Sequence, residues 1–168
     1  MRNHIVGTIC LVALSLGVAG AASAQGHWAC SNTTLAGAWG YTETGTVVVP
    51  SPPSPDGPTP VLAVAVGRYD FDLAGNFSGT QYSSAGGTIS SDSKVGTYTL
   101  NPDCTGTLTL NIYDPTGTTL RRTSVWAFVL VANATELRGM MLSMALPNGV
   151  TFSPIMALSA TKLFPRGY

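Results

Sequence analysis

The sequence predicts an all-β protein: a single closed antiparallel up-and-down β-barrel of about eight strands, with a β-sandwich as the alternative. Three observations predict it. Apolar and polar residues alternate with a period of two, most clearly over 95–112, VGTYTLNPDCTGTLTLNI. Turn chemistry recurs at gaps of mostly about 8–15 residues, and no stretch sustains a helical period. Glycine, threonine and serine are spread along the whole chain, a composition suited to short strands and tight turns. Closing those strands into a barrel removes exposed sheet edges.

Residues 1–24 read as a secretory signal peptide. Arg2 and His4 form a polar start, 5–21 is apolar, and Ala22-Ser23-Ala24 is a small-residue cleavage pattern. A retained membrane anchor is the alternative. Cys10 lies inside the apolar run without the small residue that precedes a lipoprotein cysteine. Cleavage before Gln25 leaves one domain over 25–168, large enough for a core, in a secreted or periplasmic location.

Within that domain, 27–34 is a lead-in and 35–49 reads as the first strand, with Trp39 and Tyr41 alternating with Gly40 and Thr42. Residues 50–60, PSPPSPDGPTP, read as an exposed, extended proline-rich loop that joins neither ladder nor helix. The second strand, 61–73, places Ala63, Ala65, Gly67, Tyr69, Phe71 and Leu73 on one face and Val64, Val66, Arg68, Asp70 and Asp72 on the other. Gly75 suits the φ > 0 position of the next turn, and 77–83 returns as the third strand. Residues 88–94 read as a polar strand at an edge. In the hairpin that follows, Tyr98 and Leu100 share one face, as do Leu108, Leu110 and Ile112, with threonines on the other. Asn101-Pro102-Asp103 supplies its turn. Beyond the turn at Asp114-Pro115-Thr116-Gly117 come an apolar strand at 118–132, a strand at 136–146, the turn Leu146-Pro147-Asn148-Gly149, and a last strand at 150–164.

With the leader removed, Cys30 and Cys104 remain, and in an exported chain two cysteines default to a disulfide. It would close a loop of about 75 residues, a constraint of roughly 4.5 kcal/mol at the upper end of the chain-entropy model. Seven basic and eight acidic residues then remain, with no run of one sign, which argues against electrostatic nucleic-acid binding. Asp70, Asp72 and Asn76 lack the later glutamate of a calcium loop and read as a hairpin turn, so neither metal nor cofactor is expected.

No catalytic constellation stands out. The only histidine after the leader is His27, and GxSxG is absent. Glu43 is the one catalytic candidate, because alternation puts it on the face of Trp39 and Tyr41, and buried carboxylates are rare unless paired or used. Arg68 and Arg122 are its candidate partners. Trp39, Tyr41, Tyr69, Phe71 and Tyr98 fall on one face of three strands, where they either fill a small barrel or line a pocket for a small apolar ligand. Residues 125–146 are apolar on both faces, with Trp126, Phe128, Leu130, Met140, Leu142 and Met144 on one set of positions. Either other chain segments cover that outer face or it is a homo-oligomer interface, which Phe128→Lys would disrupt if Phe128 points outward. Threonine, serine and charge opposite the core elsewhere argue against stable membrane insertion.

Three segments together resemble a group of uncharacterised, secreted bacterial β-barrel proteins. They are Cys30-Ser31-Asn32 with Leu35-Ala36-Gly37; Gly67-Arg68-Tyr69-Asp70-Phe71-Asp72 with Gly75-Asn76 and Gly79; and Gly96-Thr97-Tyr98 with Asn101-Pro102-Asp103-Cys104-Thr105-Gly106-Thr107. Such proteins are similar in shape to lipocalins and to allene oxide cyclase barrels. The resemblance implies the barrel and a paired Cys30–Cys104, and it implies no activity. The proline loop at 50–60 departs from it. The leading expectation is an exported barrel that binds a small apolar molecule without catalysis. The alternatives are a cyclase- or isomerase-like enzyme using Glu43 or Tyr98, and a self-assembling module using the 125–146 face.

Overall fold

A short helix, α1 (Asn32–Leu35), leads into nine strands in a computed structural model that describes residues 29–48, 60–152 and 154–164. The strands are β1 (Gly37–Val48), β2 (Pro60–Phe71), β3 (Asn76–Ala85), β4 (Thr88–Leu100), β5 (Thr105–Tyr113), β6 (Leu120–Val131), β7 (Glu136–Ala145), β8 (Thr151–Phe152) and β9 (Ile155–Lys162). From β1 to β7 each strand pairs antiparallel with its neighbour in sequence, and β9 lies between β7 and β1. Eight strands therefore close into an up-and-down barrel, and the sandwich alternative falls away. β8 is an outer addition. It pairs with the last two residues of β7, Met144 opposite Phe152, on the edge that β9 occupies farther along, Met140 opposite Ala157. The two are parted near Pro154, which has no N–H to give a ladder.

Several boundaries differ from the sequence reading. Leu35 ends α1 rather than opening β1; a single turn of helix is too short to leave a periodic signal. Pro60 is no longer loop but the first residue of β2, opposite Val48, a position where a strand tolerates proline. Residues 88–94 are not an edge. They run on into 95–100 as one thirteen-residue strand, β4, paired on both sides. The expected leader at 1–24, His27 and the stretch 50–59 lie outside the described residues.

The barrel is filled by rings set against glycines. Tyr41 lies opposite Gly67, Tyr69 opposite Gly79, Phe77 opposite Gly96, and Phe128 opposite both Gly106 and Gly139. Each ring occupies the space a neighbouring side chain would need. A Cβ on Gly96 would lie 2.7 Å from the Phe77 ring and 2.1 Å from the Thr109 carbonyl, and one on Gly106 would lie 2.4 Å from the Phe128 ring. At one end the interior is closed by Leu35, Trp39, Phe71, Phe77, Tyr98, Leu130 and Leu137, all buried. Cys30 and Cys104 form a disulfide there, Cα atoms 5.0 Å apart, and the Cys30 N–H donates to the Pro102 carbonyl at 3.0 Å. The disulfide ties the lead-in to the β4–β5 turn.

Two outcomes are expected. Gly96→Ala should destabilise the barrel by about 1–3 kcal/mol through overpacking, read as a lower urea midpoint at unchanged slope. A peptide map without reduction should contain a linked Cys30–Cys104 pair, and Cys30→Ser with Cys104→Ser should cost about 2–5 kcal/mol.

Candidate functional site

Above the aromatic plug the inward positions turn polar. Along β1 they read Trp39, Tyr41, Glu43; along β4, from the other direction, Asp92, Lys94, Tyr98. Lys94 Nζ donates to Glu43 Oε1 at 2.7 Å and to the Tyr69 hydroxyl at 3.1 Å, and that hydroxyl donates to the same Glu43 oxygen at 3.0 Å. The Lys94 side chain is 1% exposed and that of Glu43 8%. Tyr41 and Tyr69 stack with centroids 4.0 Å apart, and the ammonium sits 4.8 Å from the Tyr41 centroid and 5.3 Å from that of Tyr69. The charge is thus held by a carboxylate, a hydroxyl and two ring faces.

A second branch adjoins it. The Tyr41 hydroxyl donates to Gln81 Oε1 at 3.3 Å, and Gln81 Nε2 donates to Asp92 Oδ2 at 2.7 Å. Asp92, fully buried, also accepts from Arg121 Nη1 at 2.8 Å and from Arg122 Nη2 at 3.1 Å. Consecutive strand residues ordinarily point to opposite faces. Here β6 carries one residue more than β5: Arg122 lies opposite Ile112 while Leu120 lies opposite Tyr113. The bulge leaves Arg121 unpaired in the ladder and lets both guanidiniums reach one carboxylate. No buried side-chain nitrogen or oxygen among the described residues lacks a hydrogen-bond partner.

Burial sets the electrostatics. It pushes the Tyr41 and Tyr69 hydroxyls well above the usual tyrosine range, and the neighbouring Glu43 charge adds to the effect. It lowers the Lys94 ammonium, with Glu43 opposing. The tyrosines accordingly remain protonated donors.

Beyond this layer the barrel opens into a cavity of 380 Å³. Its walls are largely apolar, including Val47, Ala63, Ile112, Trp126, Met141 and Met156. Glu43, Gln81, Ser83, Ser90, Arg122 and Ser124 supply its polar lining. Ser83 and Ser90 hydrogen-bond to each other at 3.0 Å, and Ser124 accepts from Trp126 Nε1 at 3.0 Å.

The residues expected from sequence distribute unevenly over this geometry. Trp39, Tyr41, Tyr69, Phe71 and Tyr98 share the interior and pack on one another, and none of them lines the cavity. Tyr41 and Tyr69 touch its floor from below through Gln81 and Glu43. Tyr98 lies at the closed end, its hydroxyl donating to the Asp72 carbonyl. Glu43 does point inward, but its partner is Lys94. Arg68 lies outside, pairing with Asp70 at 2.7 Å, and Arg122 is committed to Asp92. Asp72 caps its own turn, accepting from the Ala74 and Asn76 N–H groups.

Phe128 is buried, which overturns the outward orientation considered for it. Met140 and Leu142 are exposed, against the shared face expected with Trp126 and Met144. The reason is a second bulge: Ser143 lies opposite Val125 and Met141 opposite Trp126, so Leu142 is the extra residue and the phase of β7 flips. The outer face of 125–146 is therefore built from Val129, Met140 and Leu142, with Arg138 among them. Among the described residues no helix is long and apolar enough to cross a membrane.

No family model matches the chain, and no curated protein matches it. Among solved structures it is similar to the crystal structure of Rv2717c from M. tuberculosis, at 15% identity over 78% of this chain and 94% of that chain, with a TM-score of 0.34.

Removing one member of the buried pair strands the other. Lys94→Met should cost about 3–5 kcal/mol in urea unfolding, whereas Glu43→Leu with Lys94→Met should recover a large part of that loss. Equal losses for the single and the double variant would refute this account of the pair.

Proposed function

We propose that the protein is a non-catalytic binder of a small, mostly apolar molecule, held in the 380 Å³ cavity with its polar end toward the floor. The observation that carries this reading is the division of the interior. One end is filled by rings, while the other leaves an apolar-walled space above a few fixed polar groups. That is the usual make-up of a small-molecule site: hydrophobic walls for affinity and a small number of placed polar atoms for orientation. The volume falls within the range of such sites. At about 30 Å³ per non-hydrogen atom it accommodates roughly a dozen of them. A further support is preorganisation. The floor groups are already locked by the Glu43–Lys94–Tyr69 and Gln81–Asp92 hydrogen bonds, so little ordering remains to be done on binding. The Cys30–Cys104 disulfide is compatible with an oxidising, extracytoplasmic setting for that binding.

Two measurements test the reading. Trp126 lines the cavity, so 1-decanol titrated into the protein should change its emission, and Trp126→Phe should remove that response. Ala63 is a small wall residue, and Ala63→Phe should fill the space and weaken binding at least tenfold. Native mass spectrometry of gently purified protein should show an adduct that organic solvent releases. An unaltered spectrum with 1-decanol, decanoate, methyl decanoate and decylamine alike, together with a clean native mass, would sink the proposal.

A further inference from the structure

We infer that the cavity selects a ligand with a carboxylate head, a medium-chain monocarboxylate in size, and that Arg122 is the residue that recognises it. The inference rests on the reading of the cavity as a ligand site and adds the charge of the ligand to it.

The argument begins with a count of charge around the floor. Glu43 and Lys94 form a buried pair at 2.7 Å that sums to zero wherever the proton resides. Asp92 is one carboxylate facing two arginines, Arg121 and Arg122. A guanidinium does not lose its proton in a protein, so this second group carries a net charge of +1. Tyr41, Glu43, Tyr69, Gln81, Asp92, Lys94, Arg121 and Arg122 meet at this level, and the sum of their formal charges is that single positive unit. Low-dielectric walls around it strengthen its field inside the cavity.

Geometry locates the unbalanced charge. The Arg121 side chain is 38% exposed and does not line the cavity; that of Arg122 is 27% exposed and does. Of the five N–H donors of Arg122, one makes a hydrogen bond among the described residues, through Nη2 to Asp92. The remaining donors belong to a planar guanidinium that lines the cavity and is tied to a fully buried carboxylate. A fork of that shape matches two carboxylate oxygens. Ser124, the next inward residue along β6, also lines the cavity; its oxygen accepts from Trp126, leaving its own O–H to donate.

Glu43 is the group that opposes an anion here, since it too lines the cavity. Its Oε1 is occupied by both Lys94 and Tyr69, and the ammonium at 2.7 Å cancels its field at short range. A cationic head could reach Glu43 Oε2, which makes no hydrogen bond among the described residues, but that carboxylate is already neutralised by Lys94 and the head would meet the excess positive charge. The apolar walls and the space for roughly a dozen non-hydrogen atoms then limit the tail to about ten carbons.

The experiment compares head groups on one tail. Decanoate, 1-decanol, methyl decanoate and decylamine are titrated into the wild-type protein by calorimetry at fixed ionic strength. Decanoate should bind at least tenfold tighter than either neutral compound, and decylamine weakest. Arg122→Gln should bring decanoate to the level that 1-decanol shows in the same variant. Arg122→Lys, which retains the charge but not the fork, should keep part of the preference. Arg68→Gln, which removes the same charge from the outer surface, should leave the preference intact. Equal affinities for decanoate and 1-decanol in the wild type would overturn the inference and leave the cavity reading standing, as would tighter binding of decylamine. Binding of none of the four would overturn both. If Arg122→Gln fails to fold, the wild-type series and Arg122→Lys decide.

Discussion

Large rings crowd the interior of an eight-stranded barrel, and where one lies flat across the neighbouring strand no side chain fits beneath it; this constraint organises much of the interior. The protein meets it at four inward rings by setting a glycine directly across the ladder: Tyr41 with Gly67, Tyr69 with Gly79, Phe77 with Gly96, Phe128 with Gly106 and Gly139. Because the pairing is across hydrogen-bonded neighbours, it also fixes register. A slip of one residue on any of these strands would set a ring against a Cβ and turn the core face outward. The rings of β1 to β4 form one connected set, with Tyr69, Phe71 and Phe77 at centroid spacings of 5.2–5.8 Å, so the constraint is shared across those four strands.

The polar layer follows from where that set stops. Tyr41 and Tyr69 are its topmost rings, and their hydroxyls need partners once buried. Glu43 and Gln81 supply them, and Lys94 and Asp92 in turn satisfy Glu43 and Gln81. A buried pair of this kind is weak evidence for added stability, because desolvation offsets much of the attraction. Its value here is geometric. With every member bonded, the layer forms a rigid floor, and the space above it stays open where more rings would have filled it. Ala63, Ala65, Ser83 and Ala85 are the inward residues of β2 and β3 at that level, too small to close it.

Much of the fold was legible in the residues. The alternation of β2, the β4–β5 hairpin, the turns, barrel closure and the Cys30–Cys104 pair all follow from period, turn chemistry and cysteine number. The inward position of Glu43 was legible too, because it shares phase with Trp39 and Tyr41. Its partner was not. The inward face of β4 reads Thr88, Ser90, Asp92, Lys94, Gly96 before it reaches Tyr98, so period-two hydrophobicity gives no sign of which face is buried. The usable signal was phase: counting back by twos from Tyr98, a residue already assigned to the core face, places Lys94 and Asp92 inside. The two bulges were hidden for a different reason. An extra residue at Arg121 or Leu142 changes which side chains share a face without changing local composition, and no pattern in a single strand records what its neighbour pairs with.

That second kind of hidden feature is also the one with the clearest chemical consequence. In a regular ladder Arg121 and Arg122 would face opposite sides of the sheet, and Asp92 would have one inward cation to neutralise it. The cavity floor would then sum to zero, and it would present no preference between head groups beyond hydrogen-bonding capacity. The bulge opposite Ile112 and Tyr113 brings the second guanidinium to the same carboxylate. Asp92 can satisfy one of them in charge, though both in hydrogen bonds, and the surplus is carried by the arginine that lines the cavity. On the reading proposed above, specificity rests on a mismatch held in place by the fold: a fully buried acid too small in charge for its partners, with apolar walls that concentrate the remainder. The charge of the floor is therefore set by the register of two strands at the rim, while the rings at the other end set only the barrel around it.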